Sequence, residues 1–196
     1  MKKRKLRLSP ARLIALGFFV VILVGALLLT LPFASKDGSA NFLDALFTST
    51  SATCVTGLVV RDTFTGWTTF GQIVILLLIQ LGGLGFMTVI TLISFALGKR
   101  LGLYDRKVLM QSAGNISLSG IGGLIRRIVP FTFVFELLGA VLLAIRFVPD
   151  FGWPRGIYFS VFHSISAFCN AGFDLMGFRT PYSSLTAYVN DPIVNL

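Results

Sequence analysis

Two cysteines draw attention first, Cys54 in "SATCVTGL" (51–58) and Cys169 in "SAFCNAGF" (166–173). A catalytic thiol needs a neighbouring base or an electropositive site to hold it as thiolate. The chain has one histidine, His163, and none lies near Cys54 in its own stretch. No triad is visible, so both cysteines read as small packing residues. Neither peptide carries a carboxylate, which leaves the chemistry of the backbone itself. Carbonyls of an extended peptide facing one way can replace the hydration shell of a monovalent cation. Gly57 and Gly172 suit that role because glycine adopts φ > 0 without strain and lets successive carbonyls turn to the same side. Val55 and Thr56 are expected to stiffen the strand. The candidate ion-binding set is therefore the backbone of Cys54, Val55, Thr56 and Gly57, with Cys169, Asn170, Ala171 and Gly172.

The two peptides are copies. A shift of 115 residues aligns "FTSTSATCVTGL" (47–58) with "FHSISAFCNAGF" (162–173), with six identities in twelve positions. The preceding apolar runs echo one another at nearly the same offset, "GALLL" at 25–29 and "GAVLL" at 139–143. Fixed-offset self-similarity marks repeated architecture.

The positioning elements belong to a membrane protein. The 196 residues are 55% hydrophobic and only 13% charged, against about 25% charged in a soluble domain. Leu13–Phe33 is free of charge for 21 residues, roughly 31 Å of helix and enough for a bilayer core. Thr68–Leu97 is charge-free for 30 residues, more than a span needs, and is expected to tilt, kink or project. Ile128–Phe147 is apolar apart from Glu136 and Arg146. Asn41–Ala52 and Gly156–Phe168 are too short to span and read as re-entrant or buried helices. Each precedes one of the two peptides. Non-helical backbone at membrane depth survives only when protein shields it or when it lines a wet cavity.

Charge sets the topology. Residues 2–12 carry six cations and no acid, and residues 98–127 carry six cations against Asp105. Segments 34–66 and 148–196 are balanced or acidic. The positive-inside rule places the N-terminus and the 98–127 loop in the cytoplasm. Nucleic-acid binding, the other explanation for a net charge of +9, fails because the cations flank spans in alternation and form no single stripe. The first apolar run is too long for a secretory h-region and lacks a small-x-small site before Pro32.

Other candidates carry bland readings. His163 reads as a hydrogen-bonding packing residue. Glu136 and Arg146 are ten residues apart, about 15 Å of rise, and cannot pair with each other. Arg146 can snorkel outward, while Glu136 needs a partner or a wet cavity. "LGGLGF" (81–86) reads as a helix-packing surface ahead of the sharper alternative, a gating hinge, and "QSAGNISLSGIGG" (111–123) as a flexible linker.

Span, short helix, "TCVTGL", span with "IQLGGLGF", then a second copy with "CNAGFDL", resembles the Trk/Ktr/HKT superfamily of potassium transporters, most nearly the membrane (KtrB-type) subunit of bacterial Ktr systems. The resemblance covers essentially the whole chain. It implies an all-α membrane fold of span–pore helix–filter loop–span repeats, four of them around one pore. It also implies K+ as the transported ion, with Na+ as a candidate stimulating ion, and no enzymatic activity. The implied partners are membrane lipid, a second copy in a homodimer, and a cytosolic ring of nucleotide-binding regulatory (KtrA-like) subunits touching 111–123. On this reading 1–10 is a basic cytoplasmic N-terminus, 11–97 a first repeat, 98–127 a cytoplasmic linker, and 128–196 a second repeat lacking its closing span. The chain is then expected to be one and a half repeats of a longer protein. Two alternatives remain: a secondary transporter of another solute using broken helices, which predicts inverted repeats, and a membrane enzyme using Cys54, which predicts a base beside the thiol.

Overall fold

The computed structural model describes residues 9–85 and 121–195. Among them, strand-type pairing is confined to one isolated bridge between Ser35 and Trp67, and the architecture is helical. The helices are α1 (Pro10–Leu29), α2 (Phe42–Thr53), α3 (Thr63–Gly66), α4 (Thr69–Leu84), α5 (Ile121–Phe151) and α6 (Trp153–Phe168), followed by single 3₁₀ turns at Met176–Phe178 and Thr186–Tyr188.

Local chemistry explains the boundaries. Pro10 opens α1, where its missing N–H is no loss. Thr30 closes it, its hydroxyl donating to the Ala26 carbonyl at 2.6 Å, and Pro32 cannot continue it. The Asn41 side chain caps α2, and Asp44 sits in the first turn, where the helix dipole favours an anion. Asp62 caps α3 and Thr68 caps α4. Gly152, at φ 79°, breaks the chain between α5 and α6, and Pro154 restarts it.

The charge-free run from Thr68 is described only as far as Gly85. Helix α4 stops at Leu84, and Gly85 leaves it with φ 79°. The expected tilt, kink or projection of the 68–97 run turns on residues beyond Gly85. Residues 86–97 and nearly all of the 98–127 loop, including 111–119, lie outside the described residues.

Helix α1 packs against α2 and α4, α5 packs against α6, and α4 reaches across to α6. The core centres on Trp67, Ile75 and Ile79 in the first half and on Phe147, Phe159 and Phe162 in the second. Close crossings are made by glycine. A Cβ at Gly25 would lie 2.4 Å from the Ser49 hydroxyl, and one at Gly139 2.5 Å from the Ser164 hydroxyl. In apolar surroundings small residues let helices approach and polar ones join them. Ser49 uses the approach to donate to the Ile22 carbonyl at 2.7 Å, and Ser164 to the Glu136 carbonyl at 2.5 Å.

Outward faces are apolar. Phe19, Leu27, Phe131, Leu137 and Ile145 are all more than half exposed. Ala11–Leu29 and Arg127–Phe151 are long and apolar enough to cross a bilayer.

Candidate functional site

Both peptides begin at the end of a short helix, and their backbones follow the same path. At the end of α2, Cys54 N–H donates to Thr50, Val55 N–H to Ala52 and Thr56 N–H to Ser51, at 2.8, 3.2 and 2.8 Å. At the end of α6, Cys169 N–H donates to Ile165, Asn170 N–H to Ala167 and Ala171 N–H to Ser166, at 3.0, 2.9 and 2.7 Å. These bonds satisfy helix-terminal carbonyls that would otherwise be orphaned. The helix C-terminus they follow carries partial negative charge, which favours a cation.

The dihedrals agree as closely. Gly57 and Gly172 have φ 79° and 73°, the left-handed region anticipated for them. Val55 departs from expectation. It was expected to stiffen an extended strand, yet it sits at φ 56°, as does Asn170 at the matching position. A β-branched residue there is strained, whereas asparagine enters this region readily. Asparagine in the second copy was the available signal that the first copy also turns here. The turn is dictated by the helix-end hydrogen bonds, which override the β preference of valine.

The two peptides meet at their glycines. A Cβ on Gly57 would lie 2.6 Å from the Ala171 carbonyl oxygen and 3.3 Å from Gly172 Cα, and a Cβ on Gly172 3.4 Å from Gly57 Cα. Glycines of α4 close the rear. A Cβ on Gly82 would lie 2.1 Å from the Thr53 carbonyl oxygen, and one on Gly83 2.4 Å from the Cys169 sulfur. "LGGLGF" is thus a packing surface against both peptides, at the point where α4 ends.

Side chains support the two peptides unequally. His163, 4% exposed, accepts at Nε2 from Leu175 N–H, 3.2 Å, which leaves Nδ1 to donate to the Phe159 carbonyl at 2.7 Å. Backbone N–H is only a donor, so the tautomer follows. Ser166 donates to the Phe173 carbonyl at 2.6 Å. Thr48 and Ser51 occupy the matching places in α2, and their buried hydroxyls have no protein partner. Beyond the peptides, Asp62 accepts from Thr65 at 2.7 Å and from Tyr182 N–H at 2.9 Å, joining the segments that follow each peptide. Burial, with the Asp62 charge nearby, pushes the Asp174 carboxyl above its usual range.

The charged span residues find separate partners. Glu136 accepts from the Gln80 amide at 2.7 Å. Arg146 pairs with Asp150 and Asp191 at the end of α5. Sequence reasoning passed over Gln80, Gln72, Asp62 and Tyr182. Gln72 donates to the Thr63, Phe64 and Trp67 carbonyls and accepts from the Tyr158 hydroxyl. A glutamine at positions 72 and 80 of a charge-free span was the visible signal, since a polar amide at membrane depth needs partners.

Among the described residues, both thiols are free, and both nitrogens of the only histidine are engaged. What remains is a pair of matched backbone turns, held at their glycines and backed by helices.

Comparison with known proteins places the chain in a family. Residues 9–196 match the family model described as TrkH, cation transport protein, and the chain belongs to that family. It is 50% identical to the potassium/sodium uptake protein NtpJ of Enterococcus hirae over 180 residues, covering 90% of this chain and 40% of the relative. It is 46% identical to the Ktr system potassium uptake protein B of Bacillus subtilis over 190 residues, covering 97% and 41%. Its counterpart in Vibrio alginolyticus is 41% identical over 194 residues, covering 99% and 41%. The chain thus spans about two fifths of the length of these relatives. It is a KtrB-type sequence, helical and membrane-resident.

Proposed function

We propose that this chain supplies part of the ion path of a potassium uptake system, with backbone carbonyls of Cys54–Gly57 and Cys169–Gly172 forming two segments of a selectivity filter. The observation that supports this most is the meeting of Gly57 with Gly172, two turns matched residue for residue at the ends of two short helices. Carbonyls in such turns replace ion hydration without covalent chemistry, so the thiols of Cys54 and Cys169 are bystanders. Helices α2 and α6 act as pore helices, α1 and α5 as the outer spans and α4 as a closing span. The names of the relatives support K+ as the ion, with Na+ as a second ion acting on the same system. The 98–127 linker and the basic N-terminus lie on the cytoplasmic side. There 111–123 meets a nucleotide-binding regulatory ring, and the membrane subunit pairs with a second copy.

Gly57→Ser tests the filter in a full-length transporter carrying this sequence. In cells lacking other potassium uptake, the variant should reach the membrane normally and lose potassium-over-sodium preference. Unchanged preference at normal abundance would overturn the reading. Cys54→Ser should transport nearly as well as the parent; loss of transport there would favour the enzyme-like alternative. A reporter fused after Arg106 should label as cytoplasmic, and one after Lys36 as external.

A further inference from the structure

Glu136 sits where an apolar residue would be the inexpensive choice. Its counterpart in the first half, matched through the "GALLL"/"GAVLL" register, is Ile22. Both residues use their backbone carbonyl in the same way, accepting from Ser49 or Ser164 of the adjoining short helix. Only the side chain differs. Glu136 is 5% exposed and lies in mid-span, where a carboxyl is costly to bury. The Gln80 amide of α4 meets it at 2.7 Å. The contact therefore joins the last span of the first half to the first span of the second.

Its consequence runs along α4. Gly82 and Gly83 follow Gln80 within one turn. They have no room for a Cβ against the Thr53 carbonyl and the Cys169 sulfur. A slide or rotation of α4 would push both peptides. Apolar contacts alone fix such a register weakly, because in an apolar medium one greasy face slides on another at little cost. A buried polar pair serves better as a register mark than as a source of stability. On the α5 side the mark is rigid, since the Glu136 carbonyl is itself bonded to Ser164, five residues before Cys169.

The geometry points to Gln80 and Glu136 as a positioning pair that sets the spacing between the two filter segments and thereby tunes ion preference, a role that rests on the filter reading above. Neither side chain is proposed to touch the ion. The pair acts through α4, by seating its glycines behind Thr53 and Cys169.

The test measures rubidium (as a potassium tracer) and sodium uptake in a full-length transporter carrying this sequence, normalised to membrane abundance. Glu136→Leu and Gln80→Leu should each lower the potassium-to-sodium ratio about tenfold, the scale of losing one hydrogen bond to a charged group. Glu136→Gln keeps an acceptor for Gln80 and should hold the ratio within about twofold of the parent. Gln80→Glu alone sets two carboxyls face to face and should lower the ratio; adding Glu136→Gln, the exchanged pair, restores a donor facing a carboxylate and should recover it. A purely architectural role would lower abundance and leave the ratio intact, and that result would overturn the proposal. So would an exchanged pair that fails to recover. Should Glu136→Leu not reach the membrane, Gln80→Leu against the exchanged pair decides. Gly172→Ser separates the two ideas. A fallen ratio there beside normal ratios in the pair variants removes only the positioning role. An unchanged ratio in Gly172→Ser removes the filter reading itself.

Discussion

The peptides at 54–57 and 169–172 share one backbone path but differ in how the surrounding side chains hold them. The second is tethered. His163 and Ser166 reach from α6 to Leu175 and Phe173, so the chain leaving Gly172 is bonded to the helix that led into it. Around the first, Thr48 and Ser51 stand in the same helical places without protein partners, and Leu58 and Val60 are exposed. The second peptide also has the residue its turn prefers, Asn170, where the first has a strained Val55. One conformation has therefore been reached with more local support in one copy than in the other. Backbone bonding at the helix end is sufficient to set the turn, and side chains then adjust its firmness.

This contrast can be pressed experimentally by thermal unfolding in detergent. The largest effect should be at the glycines. Gly57→Ala combines a positive φ with a Cβ 2.6 Å from a backbone oxygen and should cost about 3 kcal/mol or more. Gly172→Ala meets only an ordinary contact at 3.4 Å and should cost about 1–2 kcal/mol. Equal losses would mean the two glycines are not the asymmetric contact described. Next comes the tether. His163→Leu leaves the Leu175 N–H unpartnered in a buried site, while the Phe159 carbonyl keeps its intrahelical bond, and should cost about 2 kcal/mol. Thr48→Val removes a hydroxyl without a protein partner and should be neutral or slightly stabilising.

Exchange at the turn is a finer probe. Val55→Asn should raise the unfolding midpoint and Asn170→Val lower it, each by about 1 kcal/mol in stability. The same sign for both would show that neighbours, not the intrinsic preference of the residue, decide. The smallest effect is expected in the serines. Ser166→Ala should lose about 1 kcal/mol through the Phe173 carbonyl, while Ser51→Ala should change little.

Much of this was legible beforehand. The short helices before each peptide follow from apolar runs too short to span; that Asn41 caps α2 came from the structure. The positive φ of Gly57 and Gly172 follows from residue type. Val55 was not legible, because its conformation is imposed by the bond from Thr56 N–H back to Ser51 and runs against its own preference. Nor was the end of α4 at Leu84. Periodicity cannot tell a packing glycine from a terminating one, and Gly82, Gly83 and Gly85 differ only in what lies beside them.

By itself the sequence determined the apolar lengths, the alternation of charge, the 115-residue echo and the residue types at the turns. These depend on local composition and spacing, which solvent and bilayer read directly. Only the tertiary structure decided that Gly57 faces Gly172, that Gly83 abuts Cys169, and that Gln80 finds Glu136 across 56 residues of chain. Those are contacts between distant segments, set by how close backbones can approach, and no property of either segment alone contains them.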